Sequence, residues 1–278
     1  MDSNNLTLFQ FDYNFYITTY TDLDCNEYNT KEKCLAHYLR WGKNEGRCSS
    51  KEEMIYKYSL HLKESIAKND GFIHIKDKFF NILIRTSNRP TYFQKCINSV
   101  LKQNYTNFMI HVCYDDVKSV EYLKQYENDS RINIFPVSEQ SQKKYKFNLY
   151  CNSLLKQVET GYILFLDDDN YFLSHRVLEM INWYSGDNKI ITWKFLRPDR
   201  YILKKDLYSP LILGEIDTSN VCFCSSLKDK SKWNDQQYGD YHFFKPLFDI
   251  CNNSEKCFFD YTLTATQFND KIGNFGEN

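Results

Sequence analysis

Four short apolar runs between Phe79 and Leu166, each set off from the next by an amphipathic stretch, constrain this 278-residue chain more than any other feature. The runs are Phe80–Arg85, Met109–Tyr114, Arg131–Val137 and Tyr162–Leu166. Each is short enough for one strand and bounded by breakers such as Ser87-Asn88-Arg89-Pro90. Between them Phe93, Ile97, Val100 and Leu101, then Val120, Leu123 and Tyr126, then Phe147, Cys151, Leu154, Leu155 and Val158 recur at helical spacing. Strand–helix alternation predicts an α/β fold with a mostly parallel sheet covered by helices on both faces. Tyr162–Leu166 is nearly all apolar, as a strand buried on both faces requires.

The first seventy residues follow another pattern. Thr30 is placed to cap a short helix carrying Cys34, Leu35, Tyr38 and Trp41 up to Gly42. Ser50-Lys51-Glu52-Glu53 reads as a capping box, and Met54, Tyr58, Leu62 and Ile66 continue behind it as one apolar stripe expected to lie on the main domain. The expected division is a helical appendage over 1–70 and a catalytic-type α/β domain over 71–278.

Composition narrows the function classes. Thirty-five basic against thirty-six acidic residues, net −1, give no electrostatic case for nucleic acid. No stretch approaches the roughly 20 apolar residues of a membrane span, and the start lacks the basic and apolar regions of a signal peptide. Ten cysteines without a single C-x-x-C pair argue against a zinc ribbon and for reduced thiols in a cytoplasmic compartment. Neither GxxxxGK[ST] nor GxGxxG occurs, so phosphate-loop and dinucleotide chemistry lack their fingerprints.

The fourth run leads directly into Asp167-Asp168-Asp169-Asn170. Ligands of open α/β sheets bind beyond the carboxyl ends of the strands, so these carboxylates stand where chemistry is expected. On an extended chain Asp167 and Asp169 share one side and Asp168 faces elsewhere. Mn²⁺ or Mg²⁺, completed by water and substrate phosphates, is the natural partner for such a pair. The bland alternative is an acidic turn capping a following helix. Later, Gly239-Asp240-Tyr241-His242-Phe243-Phe244 opens a helix in which Asp240 is by default an N-cap and, functionally, a general base. His242 could complete the metal sphere, and Glu215, Asp217 and His242 are the reserve bases.

These residues resemble family 2-like glycosyltransferases of the GT-A fold. Ile84-Arg85-Thr86-Ser87-Asn88-Arg89-Pro90 is similar to that family's T-x-N-R-P opening, and Asp115-Asp116 follow in its order. Asn152 with Gly161–Asp169 resembles its "N…G-x-Y-I-x-F-L-D-x-D" signature, and Gly239-Asp240 its late acidic motif. Residues 9–47 resemble a helical segment found beside glycosyltransferases in bacteria and large viruses.

The resemblance implies a metal-dependent, inverting transfer of one sugar from a nucleotide-sugar, UDP-linked, to a glycan or protein hydroxyl. It implies that Thr86, Arg89, Asp115, Asp116, Asn152, Asp167 and Asp168 line the donor, that Asp167 and Asp169 hold the metal, and that Asp240 is the catalytic base. Asp168 departs from the small or varied middle residue usual in DxD, and the Q-x-x-R-W motif of processive members is absent. The competing expectations are a catalytically silent carbohydrate- or nucleotide-sugar-binding protein, and a nucleotidyltransferase, whose phosphate motif is missing.

Overall fold

The computed structural model describes residues 10–20, 23, 26–44, 47–50, 53, 77–138, 143–184, 187–197, 201–202 and 210–267. The chain divides into two compact units, Met1–Ile73 with Arg197–Arg200, and His74–Leu196 with Tyr201–Asn278.

In the first unit, helix α1 (Tyr13–Thr19) starts where Asp12 accepts the Phe15 N–H at 2.9 Å, and α2 (Lys31–His37) where Thr30 accepts that of Lys33. The second helix widens into a π-turn over Tyr38–Gly42. Phe11, Tyr16, Leu23, Cys34 and Tyr38 form its core, and the Tyr16 hydroxyl is 3.0 Å from His37 Nδ1. A side chain on Gly42 would collide with that same hydroxyl. The capping box is shifted: Ser50 Oγ accepts the Glu53 N–H at 3.1 Å, but the Glu53 carboxylate accepts from Ser49 N–H, at 2.6 Å. The stripe from Met54 to Ile66 lies outside the described residues.

The second unit is built on a mixed sheet of nine strands among the described residues: β1 (Phe80–Thr86), β2 (Phe108–Tyr114), β3 (Ile132–Pro136), β4 (Tyr162–Phe165), β5 (Asn170–Phe172), β6 (Ile190–Leu196), β7 (Tyr201–Ile202), β8 (Val221–Cys224) and β9 (Lys256–Thr266). The order is β3-β2-β1-β4-β8-β6-β9-β5, with β7 on β6. The first four are parallel, β8 pairs antiparallel with both β4 and β6, and β9 runs parallel to β6. All four runs identified in the sequence are strands, and each crossover between them carries a helix: α3 (Pro90–Leu101), α4 (Ser119–Leu123) and α5 (Lys146–Leu155). Helices α6 (Val177–Tyr184) and α7 (Gly239–Ile250) follow.

Alternation along the strands feeds two faces. Leu83, Cys113, Ile163 and Phe165 join Leu154 and Leu155 of α5 and Phe243, Phe244 and Leu247 of α7 in one core. Trp233 is the hub of that layer, stacked on Phe243 at 4.6 Å and 10° and edge-on to Phe165 at 5.4 Å. Such aromatic pairs contribute about 0.5–1.5 kcal/mol each beyond their burial. They also fix how α7 sits against β4.

Gly161 enters β4 at φ +94°, a conformation that L-residues avoid, and a Cβ there would overlap the Phe79 carbonyl. That carbonyl is needed, because it accepts the Tyr162 N–H at 2.8 Å and so pins β4 beside β1. The nine described cysteines form no disulfide. No helix among the described residues is long and apolar enough to cross a membrane.

Candidate active site

The chain runs β1, β2, β3 outward in one direction and then returns to place β4 on the other side of β1. At such a switch point the loops beyond the two central strands diverge and leave a crevice. The loop after β1 is Ser87-Asn88-Arg89, and the loop after β4 is the acidic triplet, so the topology itself brings the two motifs together.

Each residue of the first motif has a physical role. Thr86 ends β1 and donates its hydroxyl proton to Asp168 Oδ2 at 2.8 Å, which leaves Tyr122 to donate to Thr86 at 2.8 Å. Asn88 takes the left-handed conformation, φ 50°, that asparagine tolerates better than most residues, and its N–H donates to Ser119 Oγ at 2.8 Å. Arg89 splits its guanidinium between Asp168 Oδ1, 2.8 Å, and Asp169 Oδ2, 3.0 Å. Pro90 occupies the first turn of α3, where its missing N–H costs nothing.

The triplet forms a turn, closed by the Asn170 N–H on the Asp167 carbonyl at 2.8 Å, and leads into a strand instead of a helix. The helix-capping reading therefore fails. Exposure alternates as expected: the Asp167 and Asp169 side chains keep 20% and 19% of their surface, Asp168 only 5%. Burial pushes the Asp168 carboxyl above the ordinary carboxylate range; Arg89 opposes that shift and Asp169 reinforces it. Asp167 is gripped by Arg85, whose Nε and Nη2 reach its two oxygens at 2.9 and 3.2 Å.

Two further side chains hold the turn from distant parts of the chain, and no local pattern marks them. Ser219, fully buried, accepts the Asp167 N–H at 3.2 Å and the Asn170 amide at 2.8 Å. Gln267 clamps the turn from the end of β9, its N–H on the Asp169 carbonyl at 2.6 Å and its side chain on those of Asp168 and Tyr92.

The structure places the expected site residues as follows. Asp167, expected on the metal, has both of its oxygens engaged by Arg85. Asp168 and Thr86 were expected to line the donor, but both side chains turn into the protein and bond each other. Arg89 faces the acidic turn through two ion pairs. Asn152 was expected at the donor; instead its amide donates to the Trp233 carbonyl at 2.9 Å and accepts its N–H at 3.1 Å. It is a strut that seats Trp233, and through Trp233 the helix α7. Asp115 stays at the end of β2, nearly buried, 3.2 Å from Lys146 Nζ, and Asp116 accepts the Lys118 N–H at 2.9 Å.

Asp240 lies in the first turn of α7, but the cap is Tyr238, in a left-handed conformation at φ 57°, so the N-cap reading is corrected by two residues. The Asp240 carboxylate accepts the N–H of Tyr241 at 2.8 Å. Contacts lead from this turn toward the acidic site. Gly239 abuts the Asn148 side chain, Asn148 lies one turn before Cys151 on α5, and Arg85 reaches Cys151 Sγ at 3.7 Å while holding Asp167. Of the reserve bases, Asp217 is buried in a capping box with Asn220, and Glu215 accepts the Ile212 N–H at 3.0 Å. His242 is exposed with its ring against Tyr241.

Among the described residues no group of three or more His, Cys, Asp or Glu side chains could form a metal cage. What the turn offers is one carboxylate oxygen, Asp169 Oδ1, which accepts no bond among the described residues, while Oδ2 holds Arg89. A hard divalent cation that keeps most of its sphere for water and diphosphate oxygens fits this donor set; an all-protein site does not.

A switch-point crevice with an acidic turn on a mostly parallel sheet is the architecture of GT-A glycosyltransferases. The chain belongs to glycosyl transferase family 2, whose model matches residues 81–232. Protein CgeD of Bacillus subtilis (strain 168) is 26% identical over 110 residues, which is 38% of this chain and 26% of CgeD. The structure of S. aureus TarS 1-349 superposes with a TM-score of 0.55 at 18% identity, over 68% of this chain and 60% of that one. The mannosyltransferase PcManGT from Pyrobaculum calidifontis, in complex with GDP-Man and Mn²⁺, gives 0.51 at 10% identity, over 76% and 65%. The chain thus spans about a quarter of CgeD and three fifths of that TarS structure.

Proposed function

We propose that residues 71–278 form a glycosyltransferase domain that moves one sugar from a nucleotide-sugar, UDP-linked, to an acceptor hydroxyl on a glycan or protein, with residues 1–70 as an appendage. The observation that carries this reading is Asp169, at the switch point, with one carboxylate oxygen open and its backbone clamped from β9. TarS 1-349 in complex with UDP-GlcNAc superposes at a TM-score of 0.50, which supports a UDP-sugar donor, as PcManGT supports a nucleotide-sugar with a cation.

In this reading Asp169 holds Mn²⁺ or Mg²⁺ against the donor diphosphate. When bound, the cation neutralises charge developing on the departing nucleoside diphosphate. Asp115 or Asp116, beyond β2, contacts the base or ribose. Asp240 accepts the proton of the acceptor hydroxyl as that oxygen forms its bond to the anomeric carbon, from the side opposite the leaving diphosphate, so the configuration inverts. Arg85, Thr86, Arg89, Ser219 and Gln267 keep the acidic turn in place. Asn152 and Trp233 orient the helix that carries Asp240.

Calorimetric titration with a panel of nucleotide-sugars, with and without Mn²⁺, tests the reading. UDP-sugar binding that requires the cation supports it, and absence of binding across the panel rejects it. A second reading, a silent nucleotide-sugar-binding protein, draws on Arg85 and Arg89, which already offset the triplet's charge without a cation. Cation-dependent release of UDP from the bound donor, by hydrolysis or transfer, rejects that second reading.

A further inference from the structure

Two arginines meet the acidic turn in different ways. Arg85 presents Nε and Nη2 to the two oxygens of one carboxylate, the parallel fork that is the strongest guanidinium–carboxylate arrangement. Arg89 makes no fork. Its two terminal nitrogens go to different residues, Nη1 to Asp168 and Nη2 to Asp169, and its buried Nε is left without a hydrogen-bond partner. The Asp168 arm is the deeper one, since that carboxylate is 5% exposed and also accepts the Thr86 hydroxyl. The Asp169 arm is a single bond at the crevice. The guanidinium also lies 4.8 Å from the Tyr92 ring, which fixes its place.

We infer that Arg89 is a built-in counter-ion that keeps Asp169 from holding a divalent cation by itself, so that cation and nucleoside diphosphate bind only as a pair. This rests on the reading of Asp169 as the cation's carboxylate. A bare cation at Asp169 stands beside a fixed guanidinium, and Asp169 is shared between two positive groups. Repulsion between like charges at such range is large where water is scarce. A diphosphate arriving with the cation reverses the balance, because its negative oxygens attract the cation and the guanidinium alike. Arg89 is therefore a positioning residue that couples two ligands. Asp168, bonded to Arg89 and Thr86, anchors it while the Asp169 arm is released.

The test is the binding of Mn²⁺ to the full chain, with and without UDP, followed by the loss of the free-ion electron paramagnetic resonance signal beyond the loss that UDP causes without protein. The wild type is expected to take up Mn²⁺ weakly alone and at least about tenfold more tightly with UDP. Arg89→Gln is expected to bind Mn²⁺ alone about tenfold more tightly than wild type and to lose most of the enhancement by UDP. Should Arg89→Gln not fold, Arg89→Gln with Asp168→Asn removes one charge of each sign and carries the same expectation. Equal Mn²⁺ affinity of the variants and wild type, with the UDP enhancement intact, overturns the inference while leaving Asp169 as the cation's ligand. No Mn²⁺ uptake by wild type even with UDP overturns the reading of Asp169 itself.

Discussion

Arg85 closes a fork on Asp167, Nε to one oxygen at 2.9 Å and Nη2 to the other at 3.2 Å, so both oxygens of the first carboxylate of the acidic triplet are engaged within the fold. The two residues leave adjacent parallel strands at the same end of the sheet. Replacing Asp167 with Ala strands a guanidinium whose side chain is 21% exposed. A loss of about 1–3 kcal/mol is expected in urea unfolding. Asp167→Asn should cost less, because the amide oxygen still accepts one bond. A variant as stable as wild type would show that the fork contributes nothing.

Asp169 behaves differently, because only one of its oxygens is engaged. Asp169→Asn should keep the fold and weaken binding of UDP with Mn²⁺ by more than about tenfold, or about 1.4 kcal/mol. Calorimetry of the two ligands together measures it. Unchanged affinity would remove Asp169 from the site.

For Asp240 the expected effect is on rate. Asp240→Asn should lower transfer by about 10²–10⁴-fold with donor affinity near wild type. Because the Asn amide oxygen can still accept the Tyr241 N–H that Asp240 accepts at 2.8 Å, thermal stability should hardly change. Near-normal transfer would exclude Asp240 as base.

Gly161→Ala meets two penalties at once, a left-handed backbone at φ +94° and a Cβ against the Phe79 carbonyl that anchors β4. The expected loss is about 2 kcal/mol or more in chemical denaturation. A loss under about 0.5 kcal/mol would mean that β4 can shift without consequence.

His111 gives the fold a pH dependence. It sits on β2 between Asn81 of β1, 3.3 Å from Nε2, and Asn133 of β3, 3.4 Å from Nδ1. Burial lowers its pKa from 6.5 to about 4. Between those values the unfolded chain binds a proton that the folded chain does not, so stability falls as pH drops from about 6.5 to 4, with a slope of up to one proton. His111→Gln should remove that component from the pH dependence of urea unfolding. An unchanged slope would assign the dependence elsewhere.

Much of this protein is legible locally. Strand periodicity, the helices between strands, Pro90 at the start of α3 and Gly161 before β4 follow from backbone sterics and hydrophobic spacing, which act over a few residues. The acidic triplet is visible too, since three adjacent carboxylates after an apolar strand are a local pattern. What each carboxylate does is not local. Arg85 and Arg89 reach the triplet from about 80 residues away, Asn152 meets Trp233 at a similar separation, and Ser219 arrives from the short 3-10 turn before β8 and Gln267 from just past β9. Sequence order made Asp167 and Asp169 equivalent, and only the pairing of β1 with β4 separates them by placing Arg85 on one and Arg89 on the other. The sequence by itself determined which residues could carry charge at the end of β4. The tertiary structure decided which of those charges are neutralised inside the fold and which oxygen stays open, because electrostatic partnership depends on distance through space and not along the chain.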